Sequence, residues 1–192
     1  MFKRGVISDE ISQDLEAAVA MAKEYGLQGV EIRNVWGKRI DQLDREELAR
    51  ARRIVEDAGL EVIGVAPPFF KASLDSDDEY HEHLKILDRS IAAARALGSN
   101  VVRCFTFWKD DRPLEQVWTR ILDRWQEPAR VAEREGVVLA IENEHACFVG
   151  TGAQLGRFLR ELNAPGVKAL WDPGNAFCED EVPYPDGYRH VR

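Results

Sequence analysis

The sequence is short of cysteine, of long apolar runs, of net positive charge and of glycine-rich loops, and each shortage removes a class of protein. Cys104, Cys147 and Cys178 are the only cysteines in 192 residues. An odd number at wide spacing does not describe a disulfide framework and fits reduced thiols in a cytoplasmic protein. No stretch approaches the roughly 18 apolar residues of a membrane span. Met1-Phe-Lys-Arg4 runs into Gly5-Val-Ile-Ser8 with too little apolar length for a secretory leader. No membrane association is expected. The formal net charge is -8, whereas a chain that grips a nucleic-acid backbone carries a basic face. The one small cluster, Arg50, Arg52 and Arg53, is offset by Asp44, Glu46 and Glu47, so nucleic acid is not an expected partner. A nucleotide-binding open sheet would show glycines in its first turn. Here the first apolar run ends in the acidic Ile7-Ser-Asp-Glu-Ile-Ser12.

What is present is a globular composition, 45% hydrophobic and 31% charged, arranged in a repeated phrase. Ala22-Lys-Glu-Tyr-Gly26 leads into Gly29-Val-Glu-Ile-Arg33, and Val55-Glu-Asp-Ala-Gly59 into Leu60-Glu-Val-Ile-Gly-Val65. Ala93-Ala-Arg-Ala-Leu-Gly98 leads into Asn100-Val-Val-Arg-Cys-Phe105, and Ala132-Glu-Arg-Glu-Gly136 into Val137-Val-Leu-Ala-Ile141. Each time an amphipathic helix stops at a glycine, suited to the left-handed position past a helix end, and an apolar strand begins. Strands are predicted to start near Val6, Val30, Val62, Val101, Val138 and Lys168. Helices are predicted over Asp14–Tyr25, Asp44–Ala58 (with Asp41 or Asp44 as its start signal), Asp77–Leu97, Pro113–Arg134 and Gly152–Leu162. That makes about six βα units in a single α/β domain spanning residues 1–192. Polar residues follow nearly every strand, the distribution expected of a (β/α)8 TIM-type barrel whose site is built from many strand ends.

Two carboxylates sit where predicted strands run out: Glu142 in Val137-Val-Leu-Ala-Ile-Glu-Asn-Glu144 and Asp172 in Val167-Lys-Ala-Leu-Trp-Asp-Pro-Gly-Asn175. Carboxylates carried to the mouth of a parallel sheet by successive strands are placed to hold a metal ion or move protons. The plainer readings are a surface ion pair for Glu142 and the start of a turn for Asp172, since Asp-Pro-Gly is good turn chemistry. Arg103 interrupts an apolar strand and needs a partner, Glu31 or Glu142. Lys71 follows Phe69-Phe70 and is placed either to meet an anionic group on a substrate or simply to face solvent. Glu144 and His145 are candidates for the rim. His81 and His83 look like a metal pair, but residues two apart on a helix do not face each other. Trp118 and Trp125 are expected on the fourth helix, and Trp36 with Phe69 and Phe70 either at a pocket wall or in the core.

Ile7-Ser-Asp-Glu-Ile-Ser12, Gly29-Val-Glu-Ile-Arg33, Pro67-Pro-Phe-Phe-Lys71, Ala140-Ile-Glu-Asn-Glu144 and Trp171-Asp-Pro-Gly-Asn175 together resemble the xylose isomerase-like barrel superfamily. The resemblance runs through the whole chain, and the last two motifs are its most specific part. It implies an eight-stranded barrel holding one divalent cation, manganese, magnesium, cobalt or zinc. The ligands would be a Glu ending strand five, an Asp ending strand six, a His ending strand seven and a Glu on strand eight. Glu142 and Asp172 match the first two. Strands seven and eight would lie beyond Arg192, and His190 is expected on a sixth helix, one unit too early to be the histidine ligand. The chain therefore reads as an incomplete barrel, truncated after its sixth strand. It should hold a cation weakly and be prone to self-association through open sheet edges.

The activity implied is isomerisation or epimerisation of a small sugar, polyol or sugar phosphate through an enediolate, with Glu142 as ligand and acid–base group. Asn175, Lys71, Arg103, Glu31, Glu144 and His145 are its substrate-binding candidates. Asn175 stands where several relatives carry a substrate-contacting histidine, and an amide does not shuttle protons near neutrality. Alternatives are a lyase or dehydratase using the same enediolate, an endonuclease IV-like repair enzyme, and a non-catalytic fragment. The endonuclease would need many histidines and a basic face, against four histidines and a net charge of -8.

Overall fold

A computed structural model of the chain describes residues 2–192. Its main sheet is built from β1 (Gly5–Ile7), β2 (Gly29–Ile32), β3 (Glu61–Val65), β4 (Val101–Cys104), β5 (Val138–Glu142) and β6 (Val167–Leu170). These six parallel strands neighbour one another in the order in which the chain makes them. A doubly wound sheet reverses direction at a switch point, and this one does not. Each crossover helix returns the chain to the next position, as in a TIM barrel, and the barrel is not closed. The helices are α1 (Leu15–Glu24), α2 (Arg45–Asp57), α3 (Asp77–Ala96), α4 (Leu114–Glu135), α5 (Gly152–Leu162) and α6 (Pro173–Cys178). Among the described residues no helix is long and apolar enough to cross a membrane.

The repeated phrase works as its chemistry requires. Gly136 takes a left-handed φ of 63° past α4, and its N–H bonds the carbonyls of Ala132 and Glu133. Helix α5 solves the same problem without glycine, since Asn163 adopts φ 48° there. Two features escaped the sequence reading. Asn34–Val35 and Lys38–Arg39 form a short antiparallel hairpin. Residues 173–178 form a helix where Asp-Pro-Gly offered turn chemistry alone.

The chain divides into two compact units. The first comprises the chain up to Pro67 together with Ile86–Val102. Its core draws on Leu15, Val19, Val30, Ile32, Val55, Val62, Val65 and Ile91, all buried. Of the two candidate start signals for α2, Asp44 is the N-cap, in a capping box with Glu47. Asp41 lies buried just before it and pairs with Arg39 at 3.0 Å and Arg89 at 3.3 Å. Just beyond β1, the Asp9 carboxylate accepts from Arg33 Nε at 3.0 Å and Asn34 Nδ2 at 2.8 Å.

The second unit comprises Pro68–Lys85 and Arg103–Arg192. Its core is aromatic. Phe69 and Phe70 stack with centroids 4.0 Å apart, Phe70 and Phe107 with centroids 4.2 Å apart. The Trp125 indole meets Phe69, Phe70 and Phe158 edge-on. Phe69 and Phe70 are fully buried, so they are core and not pocket wall. Pro128 lies inside α4 and cannot donate to the carbonyl of Arg124 four residues back. The Tyr80 hydroxyl donates to that carbonyl at 3.1 Å, so the bond lost to proline is replaced from α3.

Two measurements check this account. Tyr80→Phe should cost about 1 kcal/mol in urea denaturation. In a Pro128→Ala background, where the helix satisfies its own carbonyl, most of that cost should vanish. Asp9 gives a pH test. Burial raises its carboxyl pKa, but the hydrogen bonds from Asn34 and Arg33 outweigh burial and hold it below the usual carboxylate range. Its stabilisation is therefore complete above the unfolded pKa of about 3.9 and fades as pH falls through the lower folded value. Asp9→Asn should be less stable than the parent at pH 7, by about 1–2 kcal/mol. The gap should narrow in acid denaturation profiles below about pH 4.

Candidate active site

Strand β5 reads Val-Leu-Ala-Ile-Glu, four apolar residues that fix it in the core and a glutamate at its end. In register, Glu142 lies opposite Leu170, the last residue of β6. Asp172 stands two residues further on. It is the N-cap of α6, its Oδ1 accepting from the Asn175 N–H at 2.8 Å, with Pro173 at the first helical position. The Asp172 main chain is clamped by Asn143, which is fully buried. The Asn143 amide donates from Nδ2 to the Asp172 carbonyl at 2.7 Å and accepts at Oδ1 from the Asp172 N–H at 2.8 Å. The same Nδ2 also donates to the Gly150 carbonyl at 3.1 Å. A side chain thus continues the β5–β6 ladder past its end. Nothing in the sequence distinguished Asn143 from any other polar residue following a strand.

Glu142 is 6% exposed. Its Oε2 lies 3.1 Å from Arg103 Nη1, and Arg103 is 8% exposed, so the predicted pairing of Arg103 is made with Glu142. Asn175 Nδ2 faces Glu142 Oε1 at 3.4 Å. Asn175 therefore binds Asp172 through its main chain and reaches toward Glu142 through its side chain, which brings the two predicted carboxylates to one place. Asn175 Oδ1 in turn meets His145 Nδ1 at 2.7 Å, and that nitrogen lies 3.0 Å from Glu144 Oε1. Glu144 Oε2 accepts from Lys71 Nζ at 2.6 Å. Lys71 Nζ also sits 4.3 Å from the ring centroid of Phe105 and 5.3 Å from that of Trp108. Seven of the predicted residues form one chain of contacts: Arg103, Glu142, Asp172, Asn175, His145, Glu144 and Lys71. Glu31 belongs to the first unit, on β2, paired in register with Ile7.

The surrounding loops are tied to one another by main-chain bonds. Phe105 N–H reaches Phe69 O, Phe107 N–H reaches Phe70 O, Trp108 N–H reaches Ala72 O, and Phe148 N–H reaches Phe107 O, all within 3.1 Å. Phe70 and Phe107 have φ of 64° and 69°. Two buried aromatic residues in the left-handed region are strained backbone, held by this lacing. His83 contributes here, its Nδ1 accepting from the Phe70 N–H at 2.8 Å, while His81 Nδ1 meets the Asp77 carbonyl at 2.7 Å. The two histidines serve separate backbone groups and are no metal pair.

Electrostatics pull the two glutamates apart. Burial pushes the Glu142 carboxyl pKa up, Asp172 and Glu144 add to the rise, and Arg103 and Lys71 only partly oppose it. Burial also raises Glu144, but its hydrogen bond from Lys71 and the Lys71 charge prevail and its pKa is lowered. Carboxyls with divergent proton affinities in one site are the arrangement that acid–base chemistry uses. Burial pushes the Cys147 thiol up to about 12, so it is no nucleophile near neutrality. Cys104 is core, and Cys178 is exposed on α6.

Glu142 stands at the end of β5 and Asp172 two residues beyond β6, the positions expected of cation ligands, with Glu142 Oε2 engaged by Arg103 and Asp172 Oδ1 by the α6 cap. Among the described residues no group of three or more His, Cys, Asp and Glu converges to complete a shell. His190 lies on a short 3-10 helix, Tyr188–His190.

The sequence matches the family described as xylose isomerase-like TIM barrel over residues 19–190. The chain belongs to that family. Its fold is shared by the probable 3-DHS dehydratase of petrobactin synthesis from Bacillus anthracis (TM-score 0.81, 18% identity, 100% of this chain and 70% of that one). It is shared as well by 3-keto-D-glucoside 4-epimerase from E. coli (TM-score 0.73, 17% identity, 94% of this chain and 71% of that one). A third is a xylose isomerase-like TIM barrel protein from Mycobacterium smegmatis in complex with magnesium (TM-score 0.69, 16% identity, 91% of this chain and 67% of that one). The chain spans 28% of the length of one longer solved relative and 72% of another. No curated protein matches it.

Arg103 and Glu142 should behave as a couple. Arg103→Met leaves a buried carboxylate without its cation and should cost about 3–5 kcal/mol in chemical denaturation at pH 7. Adding Glu142→Gln should recover a large part of that loss.

Proposed function

We propose that this site belongs to a divalent-metal-dependent isomerase or epimerase of a small sugar, polyol or sugar phosphate. The observation that carries the reading is Glu142: a buried strand-end glutamate with a raised pKa, facing Arg103 and joined through Asn175 to a second carboxylate, Asp172. Glu142 and Asp172 would hold the cation, and a bound cation would supply Lewis-acid polarisation of a carbonyl oxygen. Glu142, with its elevated proton affinity, removes the proton from the carbon next to the carbonyl and returns it. The Arg103 guanidinium beside it limits the cost of the charged form and keeps it aimed. The Asn175 amide, anchored at the start of α6, donates to and accepts from substrate hydroxyls. Lys71 and Glu144, paired at the rim, present both signs of charge to polar substituents.

The named functions of two solved relatives, an epimerase and a dehydratase, support proton abstraction of this kind, since both reactions can begin by removing a proton beside a carbonyl. A dehydratase reading differs only after that step, when the carbanionic intermediate expels water.

The test uses D-fructose, D-xylulose and dihydroxyacetone in D2O with Mn2+ or Mg2+. Hydrogens next to the carbonyl should exchange for deuterium, followed by proton NMR, and Glu142→Gln should lower the rate by about a hundredfold or more. Exchange that persists in Glu142→Gln removes that residue from the mechanism. No exchange in the parent chain favours the non-catalytic reading. Loss of water from the substrate identifies a dehydratase.

A further inference from the structure

The surroundings of the His145 ring decide which nitrogen carries the proton. Nδ1 has two neighbours, Asn175 Oδ1 at 2.7 Å and Glu144 Oε1 at 3.0 Å. A carboxylate only accepts. The Asn175 amide presents its oxygen to His145 because its NH2 faces the Glu142 carboxylate. Both neighbours of Nδ1 are therefore acceptors, and the proton must sit on Nδ1. In the neutral ring this leaves Nε2 bare. The side chain is 51% exposed, so the ring is held at one edge and open to solvent. Lys71 completes the arrangement by pairing with Glu144 Oε2 at 2.6 Å, on the oxygen that does not face the ring. A carboxylate that holds an imidazole in one tautomer and one orientation leaves the other ring nitrogen presented for proton transfer.

The other charged groups packed around this loop are balanced. Gly150 lets Glu179 lie close: a Cβ at position 150 would meet Glu179 Cγ at 2.8 Å and the His145 Cα at 3.4 Å. Glu179 is itself paired with Lys109 at 2.7 Å, and the Lys109 N–H bonds the carbonyl of Ala146, the residue after His145. From α6 the ring thus meets neutral Asn175, and Glu179, just past α6, is paired with Lys109. From its own loop it meets Glu144, which Lys71 neutralises.

We propose that His145 is the proton-exchange residue of this site, locked as the Nδ1–H tautomer by Glu144 and Asn175, with Nε2 passing protons between the site and bulk water. The step is a proton transfer alone. The Nε2 lone pair takes a proton from a hydroxyl or water at the mouth, forming an imidazolium balanced by Glu144. The same Nε2–H then gives the proton to solvent and restores the starting tautomer. The proposal rests on the isomerase reading for its reaction, but the state of the ring can be measured without substrate.

The first measurement is the long-range 1H–15N correlation spectrum of the histidine rings in 15N-labelled protein at pH 8.5, with His145 assigned from His145→Gln. The Nδ1–H pattern is expected, and it should give way to a mixture in Glu144→Ala. An Nε2–H pattern in the parent overturns the proposal. The second uses whichever ketose of the panel exchanges fastest. His145→Ala should lower kcat by about a hundredfold with little change in KM, and added imidazole should restore much of the loss. An exchange rate and pH profile unchanged from the parent overturn the proposal, as does a loss that imidazole does not relieve. No exchange in the parent counts against the isomerase reading alone, and the ring spectrum then decides this one.

Discussion

A buried arginine facing a buried glutamate sets the terms for the second unit. Removing a carboxylate from water is costly unless a cation and hydrogen bonds replace the lost solvation. Arg103 supplies the cation from β4, and the strand order places it beside β5. The compensation is incomplete, as the raised proton affinity of Glu142 shows. A carboxylate left partly uncompensated holds a proton more readily than one in water. Lys71 does the opposite for Glu144, two residues on, and holds it as a fixed negative charge. One stretch of three residues, Glu-Asn-Glu, thus carries a buried carboxyl with raised proton affinity, a structural clamp and a carboxylate paired with a lysine.

The neighbouring loops are built for rigidity. Phe70 and Phe107 accept backbone strain for positions that stack their rings on each other, with Phe70 also against Trp125. Lys71 follows the first and Trp108 the second, and the Lys71 ammonium lies within 5.3 Å of the Trp108 ring. Both strained residues are laced by main-chain bonds, so the strain is confined to loops that the core already fixes.

Much of this was legible in the sequence because it is local. The helix–glycine–strand phrase placed α1 to α4 and the strands β2 to β5 that follow them, since helix periodicity, an αL terminator and an apolar run are all read within a short window. Glu142 and Asp172 stood out for the same reason, each at the junction of an apolar run and loop residues. Arg103 announced itself as a charge in an apolar strand. What the sequence did not show depends on partners far away in the chain. Asn143 is a polar loop residue until Asp172 comes within 2.7 Å of it. Tyr80 is an ordinary helix residue until Pro128 leaves a carbonyl open. His83 is a polar residue near a helix start until its ring accepts from the Phe70 amide thirteen residues away. Residues 173–178 are too few for periodicity to speak, and capping and turn chemistry use the same Asp-Pro-Gly letters.

The Asn143 amide also separates two kinds of evolutionary freedom. Because it imitates a rung of main chain, the offset between Glu142 and Asp172 is fixed by peptide-like geometry and not by the loop running from Glu144 to Gly150. A change of loop between Glu144 and Gly150 that keeps the Gly150 carbonyl in place leaves both rungs of that clamp intact. Replacing one amide at position 143 would disturb the spacing under every such loop.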